Sequence, residues 1–130
     1  HPIGLTVNSF AAVSLEPPLV LWSLHNGSHN FAAFAQCSHY CINVLASDQQ
    51  NISNRFATWP VDRFAQLDWQ PGLNGVPVIA GCCAWFEVSN QNRVAAGDHH
   101  TFFVNIERYR ADTERAPLIF FGGEYRALAE

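Results

Sequence analysis

Three short stretches of this chain gather side chains able to hold a ligand. In Gly4-Leu5-Thr6-Val7-Asn8-Ser9-Phe10, the hydroxyls and amide of Thr6, Asn8 and Ser9 suit the polar edge of a planar ligand or a phosphate, and Gly4 permits close approach. The same residues also read as one solvated face of an ordinary strand. The second stretch, Ser23-Leu24-His25-Asn26-Gly27-Ser28-His29-Asn30, leads into a helix start. Backbone amides and the Ser28 hydroxyl would form a phosphate seat there, or simply a turn and an N-cap. It contains no lysine or arginine, so His25 and His29 are its potential cations. The third stretch is Gly97-Asp98-His99-His100, where Asp98 either orients a histidine or caps a turn, and either histidine could donate to a ligand. Adjacent histidines on a strand point opposite ways, which argues against a shared metal. Arg55 follows Ile52 on a short helix with Phe56, so its guanidinium emerges beside a buried face and suits a phosphate or a rim salt bridge.

Other chemistries lack their signatures. There is no H-E-x-x-H, no Walker loop and no G-x-S-x-G elbow. Cys37, Cys41, Cys82 and Cys83 are spaced as C-x3-C and a later adjacent pair, neither a zinc knuckle nor a CxxC redox motif. They read as plain buried thiols of a reducing compartment, which makes a cytoplasmic setting the expectation. The 7 basic residues are all arginine against 11 acids, a formal charge of −4. That balance excludes a dense footprint for nucleic acid or an anionic membrane. No apolar run approaches the roughly 20 residues of a membrane span.

The elements that must position these residues come from one domain of 130 residues, 48% of them hydrophobic. Alternation predicts strands over 3–10, 19–24, 40–46, 76–80, 82–89, 101–109 and 118–121. Ser28 is the expected cap of a short helix carrying Phe31, Phe34 and Ala35, and Asp48 of a second carrying Ile52, Arg55 and Phe56. Residues 57–73 read as an irregular excursion, Asn90-Gln91-Asn92 and 112–114 as turns. Most strands follow one another without a crossover helix, so an all-β antiparallel barrel or sandwich with two short helices is expected. The strand count does not choose between them. Trp22, Trp59, Trp69 and Trp85 suggest apolar surface that a symmetric dimer would cover.

Read together, G-L-T-V-N-S-F-x-x-V-S-L-E-P-P-L-V, then I-N-V-L-A-x-D-Q-x-x-x-S-x-R-F-A, then G-D-H-x-T-F-F-V closely resemble the flavin reductase-like family, from Gly4 to Arg126. These are the FMN-binding split-barrel reductase components of two-component flavin monooxygenases. The resemblance implies a homodimeric, Greek-key antiparallel split barrel holding FMN or FAD near the dimer interface. It also implies a strand before Ile3, so the chain, opening at His1-Pro2, is expected to lack its N-terminal strand. By the same resemblance, Thr6, Val7, Asn8 and Ser9 would meet the isoalloxazine edge and ribityl chain. Ser23, Leu24, His25, Ser28, His29 and Asn30 would wrap the ribityl and phosphate groups, with Asn54 and Arg55 on the phosphate side. His99 would lie beside the nicotinamide pocket, positioning the nicotinamide in preference to protonating reduced flavin, with Tyr125 and Arg126 near the same pocket. The chain departs from the pattern at Asn105, where many relatives have glycine, and in lacking the usual basic residue of the second flavin segment. The implied reaction is hydride transfer from NADH or NADPH to the flavin, which then diffuses to a partner monooxygenase. The alternatives are flavin-dependent reduction of another substrate, and a non-enzymatic flavin storage or sensor module.

Overall fold

The computed structural model describes residues 2–58 and 64–128. Its centre is a five-stranded antiparallel sheet in the order β1-β2-β7-β6-β3. The strands are β1 (Ala11–Ser14), β2 (Leu19–His25), β3 (His39–Val44), β6 (Ala84–Ala96) and β7 (His99–Ala111). Two small antiparallel hairpins flank it, β4 (Trp69–Pro71) with β5 (Pro77–Ile79), and β8 (Ile119–Phe121) with β9 (Glu124–Arg126). Two helices interrupt the strands, α1 (Phe31–Gln36) and α2 (Gln50–Ala57). Asn43 joins the β5 edge to β3 with its side chain, donating to Pro77 O at 3.2 Å and accepting from Ile79 N at 3.0 Å. Among the described residues the fold is therefore mostly β and antiparallel, with sheets that do not close on one another.

The period-2 alternation of β2 sorts its two faces. Val20, Trp22 and Leu24 are buried, and pair across the ladder with Val104, Phe102 and His100. Phe102 and Val104 are essentially inaccessible, and Trp22 stacks on Phe102 with centroids 4.8 Å apart. Helix α1 adds Phe34 edge-on to Trp22 at 5.3 Å. A polar chain crosses this core: Trp22 Nε1 donates to the Tyr40 hydroxyl at 2.9 Å, which donates to Asn90 Oδ1 at 2.6 Å. Asn90 Nδ2 in turn donates to Phe34 O and Cys37 O, at 2.9 and 2.7 Å. Carbonyls at the end of α1 that have no partner inside the helix are satisfied in this way.

Several sequence expectations need correction. Residues 3–10 are not a strand; the ladder begins only at Ala11. Their polar groups pair elsewhere, Thr6 N with Phe56 O at 3.3 Å and Ser9 Oγ with the backbone of Ser23. Asn90-Gln91-Asn92 is not a turn, because β6 runs through it with a register slip between Asn90 and Asn92. The turn lies at Gly97-Asp98, with Gly97 at φ 64°. The polar triplet reflects one inward-facing amide and the exposed hairpin arm at 91–96. Neither Ser28 nor Asp48 caps a helix; Asn30 and Gln49 hold those positions, without side-chain cap bonds. Part of the expected excursion is the strand β4, while residues 59–63, Trp59 among them, lie outside the described residues. The glycine pair Gly122-Gly123, at φ 61° and 81°, turns β8 into β9. All four thiols are free, yet Cys37 is exposed and only Cys82 is fully buried. Trp22 belongs to the core, and Val13, Leu15, Phe120, Phe121 and Leu128 are among the exposed apolar side chains.

Candidate functional site

The outward face of the β2–β7 ladder changes from apolar to polar as β2 ends. Ser23 pairs with Thr101 and His25 with His99, so two polar cross-strand pairs stand side by side opposite the Trp22–Phe102 core. The Ser23 and Thr101 hydroxyls are 2.9 Å apart. Beyond them Asp98 sits on the turn, with Oδ1 2.7 Å from His99 Nδ1 and Oδ2 3.7 Å from His25 Nε2. The hydrogen bond from His99, and then its charge, hold the Asp98 carboxyl below the usual carboxylate range. His100 faces the other way, as alternation requires: its Nδ1 lies 2.6 Å from Asn26 Oδ1 and its ring 5.0 Å from that of Phe31.

The segment 6–9 links this face to α2. Ser9 Oγ accepts from Ser23 N at 2.8 Å and donates to Ser23 O at 3.2 Å, replacing a strand partner at the edge of β2. At its other end Thr6 Oγ1 donates to Ser53 O at 2.7 Å. Gly4 lies against α2, where a Cβ would meet Phe56 at 3.1 Å. The buried Ser53 hydroxyl lies 2.6 Å from the Tyr125 hydroxyl, which also donates to Asn54 Oδ1 at 3.2 Å. Segment 6–9, α2 and the β8–β9 hairpin are thereby one connected wall.

The expected site residues fall into distinct places. Ser9, Ser23, His25 and His99 come together on the polar face, and Thr6, Asn54 and Tyr125 meet at α2. Val7, Asn8 and His29 are exposed, and Ser28 Oγ accepts the amide of Asn30 at 3.3 Å. Arg55 donates to Ala65 O at 2.9 Å, and Arg126 pairs with Glu124 at 2.6 Å. The Leu24 side chain is core, so Leu24 offers a ligand its backbone alone. Ser53 and Thr101 were not among the expected site residues; Asp98, expected either to orient a histidine or to cap a turn, lies against His99, and Asn26, within the second stretch, lies against His100. Ser53 and Thr101 stand inside the quoted motifs, but their pairing across strands and elements has no local signature.

The donor set fits a flavin. Neutral hydroxyls line the face beside the His25–His99 pair, as hydrogen-bonding partners for a pyrimidine-dione edge and a polyol chain require. No group of three or more metal-ligating side chains occurs among the described residues, and no described helix is long and apolar enough to cross a membrane.

Comparison with known proteins gives this fold its class. The flavin reductase like domain matches residues 1–129. The FMN reductase (NADH) SmoA of Agrobacterium fabrum is 46% identical over 124 residues, covering 95% of this chain and 70% of its own. The reductase component of the flavin-dependent trigonelline monooxygenase of Acinetobacter baylyi is 42% identical over 124 residues, 95% of this chain but 40% of that protein. The solved NADH:FAD oxidoreductase SgcE6 of Streptomyces globisporus, in complex with NAD and FAD fragments, superposes with a TM-score of 0.94 at 32% identity, covering 98% of this chain and 78% of that one. The chain belongs to the flavin reductase-like domain family. It spans well under half the length of some curated relatives and about 70% of others.

Proposed function

We propose that this chain is an NAD(P)H:flavin oxidoreductase module that reduces FMN or FAD and releases it to a partner monooxygenase. The observation that carries this reading is the polar face where Ser23–Thr101 and His25–His99 pair side by side, next to the wall formed by Thr6 to Ser9. A bound flavin supplies the hydride acceptor. Ser9, Ser23 and Thr101 hold its polar edge and chain with neutral hydroxyls, and Asn54 and Arg55 take the phosphate side. His99, with Nδ1 engaged by Asp98, offers Nε2 to the nicotinamide carboxamide and so orients the donor. No protein nucleophile or general base is needed for hydride transfer, in keeping with a face that lacks a triad.

The second segment carries no lysine or arginine, which favours a flavin that exchanges over one that is stored. In this reading the sheets form the split barrel of the family, and a second copy covers the exposed apolar residues around Leu15 and Phe121. Four free thiols favour a cytoplasmic setting. The test is NADH and NADPH oxidation with and without added FMN or FAD, together with anaerobic detection of free reduced flavin. Turnover that depends on added flavin is the expected result. Flavin binding at micromolar concentration without pyridine nucleotide oxidation would establish a storage module instead.

A further inference from the structure

The carboxylate of Asp98 stands between imidazoles from two strands. His99 Nδ1 is 2.7 Å from Oδ1, His25 Nε2 is 3.7 Å from Oδ2, and the two rings meet edge to face at 5.3 Å. The far side of His25 is also engaged: Gly27 N–H donates to its Nδ1 at 2.9 Å. A neutral His25 therefore carries its proton on Nε2, towards Asp98. Gly27 permits this folding back, since a Cβ there would lie 3.1 Å from that same Nδ1. A carboxylate only accepts, so the neutral His99 ring donates from Nδ1 and keeps a lone pair on Nε2. The turn does not depend on this cluster. It is closed by Asn26 N donating to Asp98 O at 2.9 Å and by the long β6–β7 ladder. Asp98 is 76% exposed, and exposed ion pairs contribute little to stability. The cluster is suited to fixing orientation and tautomer instead.

We infer that His25 is a positioning residue: packed edge to face on His99, it keeps that ring seated on Asp98 through Nδ1–H, with Nε2 presented as an acceptor for the amide N–H of a dihydronicotinamide. The identity of that ligand rests on the reductase reading above; the His25–Asp98–His99 relation does not. His25 is thus assigned to the pyridine nucleotide step and not to holding the flavin.

Imidazole nitrogen NMR of the ligand-free protein, above the histidine titration range, tests the relation directly. The expected spectrum has His99 protonated on Nδ1 and His25 on Nε2, and His25→Leu redistributes the His99 proton between the two nitrogens. An unchanged His99 tautomer in His25→Leu overturns the inference. In kinetics, His25→Leu should lower kcat/KM for NADH about 3- to 10-fold, the effect of one neutral hydrogen bond, with FMN affinity and melting temperature unchanged. In a His99→Ala background the same substitution should cost less than about 2-fold, because residues acting through one another are not additive. His25→Phe, which keeps a ring edge to face on His99, should recover most of the loss. Equal losses in both backgrounds, or weaker FMN binding in both, would overturn the assignment. A parent protein that oxidises no NADH would remove the reductase reading while leaving the tautomer result to decide His25.

Discussion

His99 and Cys37 show how neighbours decide what a side chain can do. His99 pairs with His25 across the ladder and donates to Asp98, so its ring is held in one orientation. His99→Ala should reduce kcat/KM for NADH about 3- to 10-fold with FMN affinity nearly unchanged, because one neutral hydrogen bond is lost. A fall of about 100-fold or more would instead mark an acid in the rate-limiting step. The thiols divide by burial. Burial, reinforced by the Glu87 charge, pushes Cys41 up to about 12, and burial pushes Cys82 up to about 11. Thiolates are the reactive species, so these two stay inert at pH 8, whereas Cys37 is exposed. Titration of the native protein with a disulfide reagent at pH 8 should show Cys37 reacting first, identified by peptide mapping, with Cys41 and Cys82 reacting only on unfolding.

At the scale of elements, the 72–76 loop is tied to the sheet by a single buried carboxylate. Glu87 on β6 is 2% exposed, accepts from Leu73 N at 2.5 Å and pairs with Arg108 on β7, whose guanidinium lies over the Trp85 ring. A Cβ at Gly72 would fall 1.9 Å from Glu87 Oε1, so the close approach requires glycine there. Burial alone would raise the Glu87 carboxyl, but the hydrogen bonds from Arg108 and Leu73 prevail and hold it below its ordinary value. A carboxyl lowered in the folded state adds stability above its unfolded pKa, about 4.3, and that stability is lost as pH falls through the folded value. Glu87→Gln should therefore be less stable than the parent at pH 7, with the gap shrinking below about pH 4. Urea denaturation at the two pH values measures it; a gap independent of pH would show that the charge contributes nothing.

For the whole molecule, the apolar groups left outside the core bear on the proposed dimer. Leu15 is 93% exposed at the end of the β1–β2 edge, and Phe121 is 71% exposed on the β8–β9 hairpin. Large exposed apolar side chains favour contact sites, and symmetric pairing is the commonest solution. Sedimentation at micromolar concentration is expected to give twice the chain mass. Replacing Leu15 and Phe121 together by serine should shift that equilibrium towards monomer, and a parent that sediments as a clean monomer would exclude the dimer.

Much of this protein is local and was readable in its residues. Alternation located β2 and most of β7 to within a few residues, because a strand buried on one face must repeat every second position. The order of the motifs carried the family and drew Ser9, Ser23, His25 and His99 into one list. Residues 3–10 alternate as well as any strand, yet Thr6 pairs with α2 and Ser9 with Ser23, and the segment joins no ladder among the described residues. Asn90 has the composition of a turn and serves as the inward end of a hydrogen-bond chain from Trp22. The pairing of His25 with His99 across Asp98, and of Ser53 with Tyr125, joins positions about seventy residues apart. Sequence determined which residues alternate and which motifs occur. Only the tertiary structure decided which polar groups satisfy one another, because a buried or paired hydrogen bond is set by where two distant backbones meet.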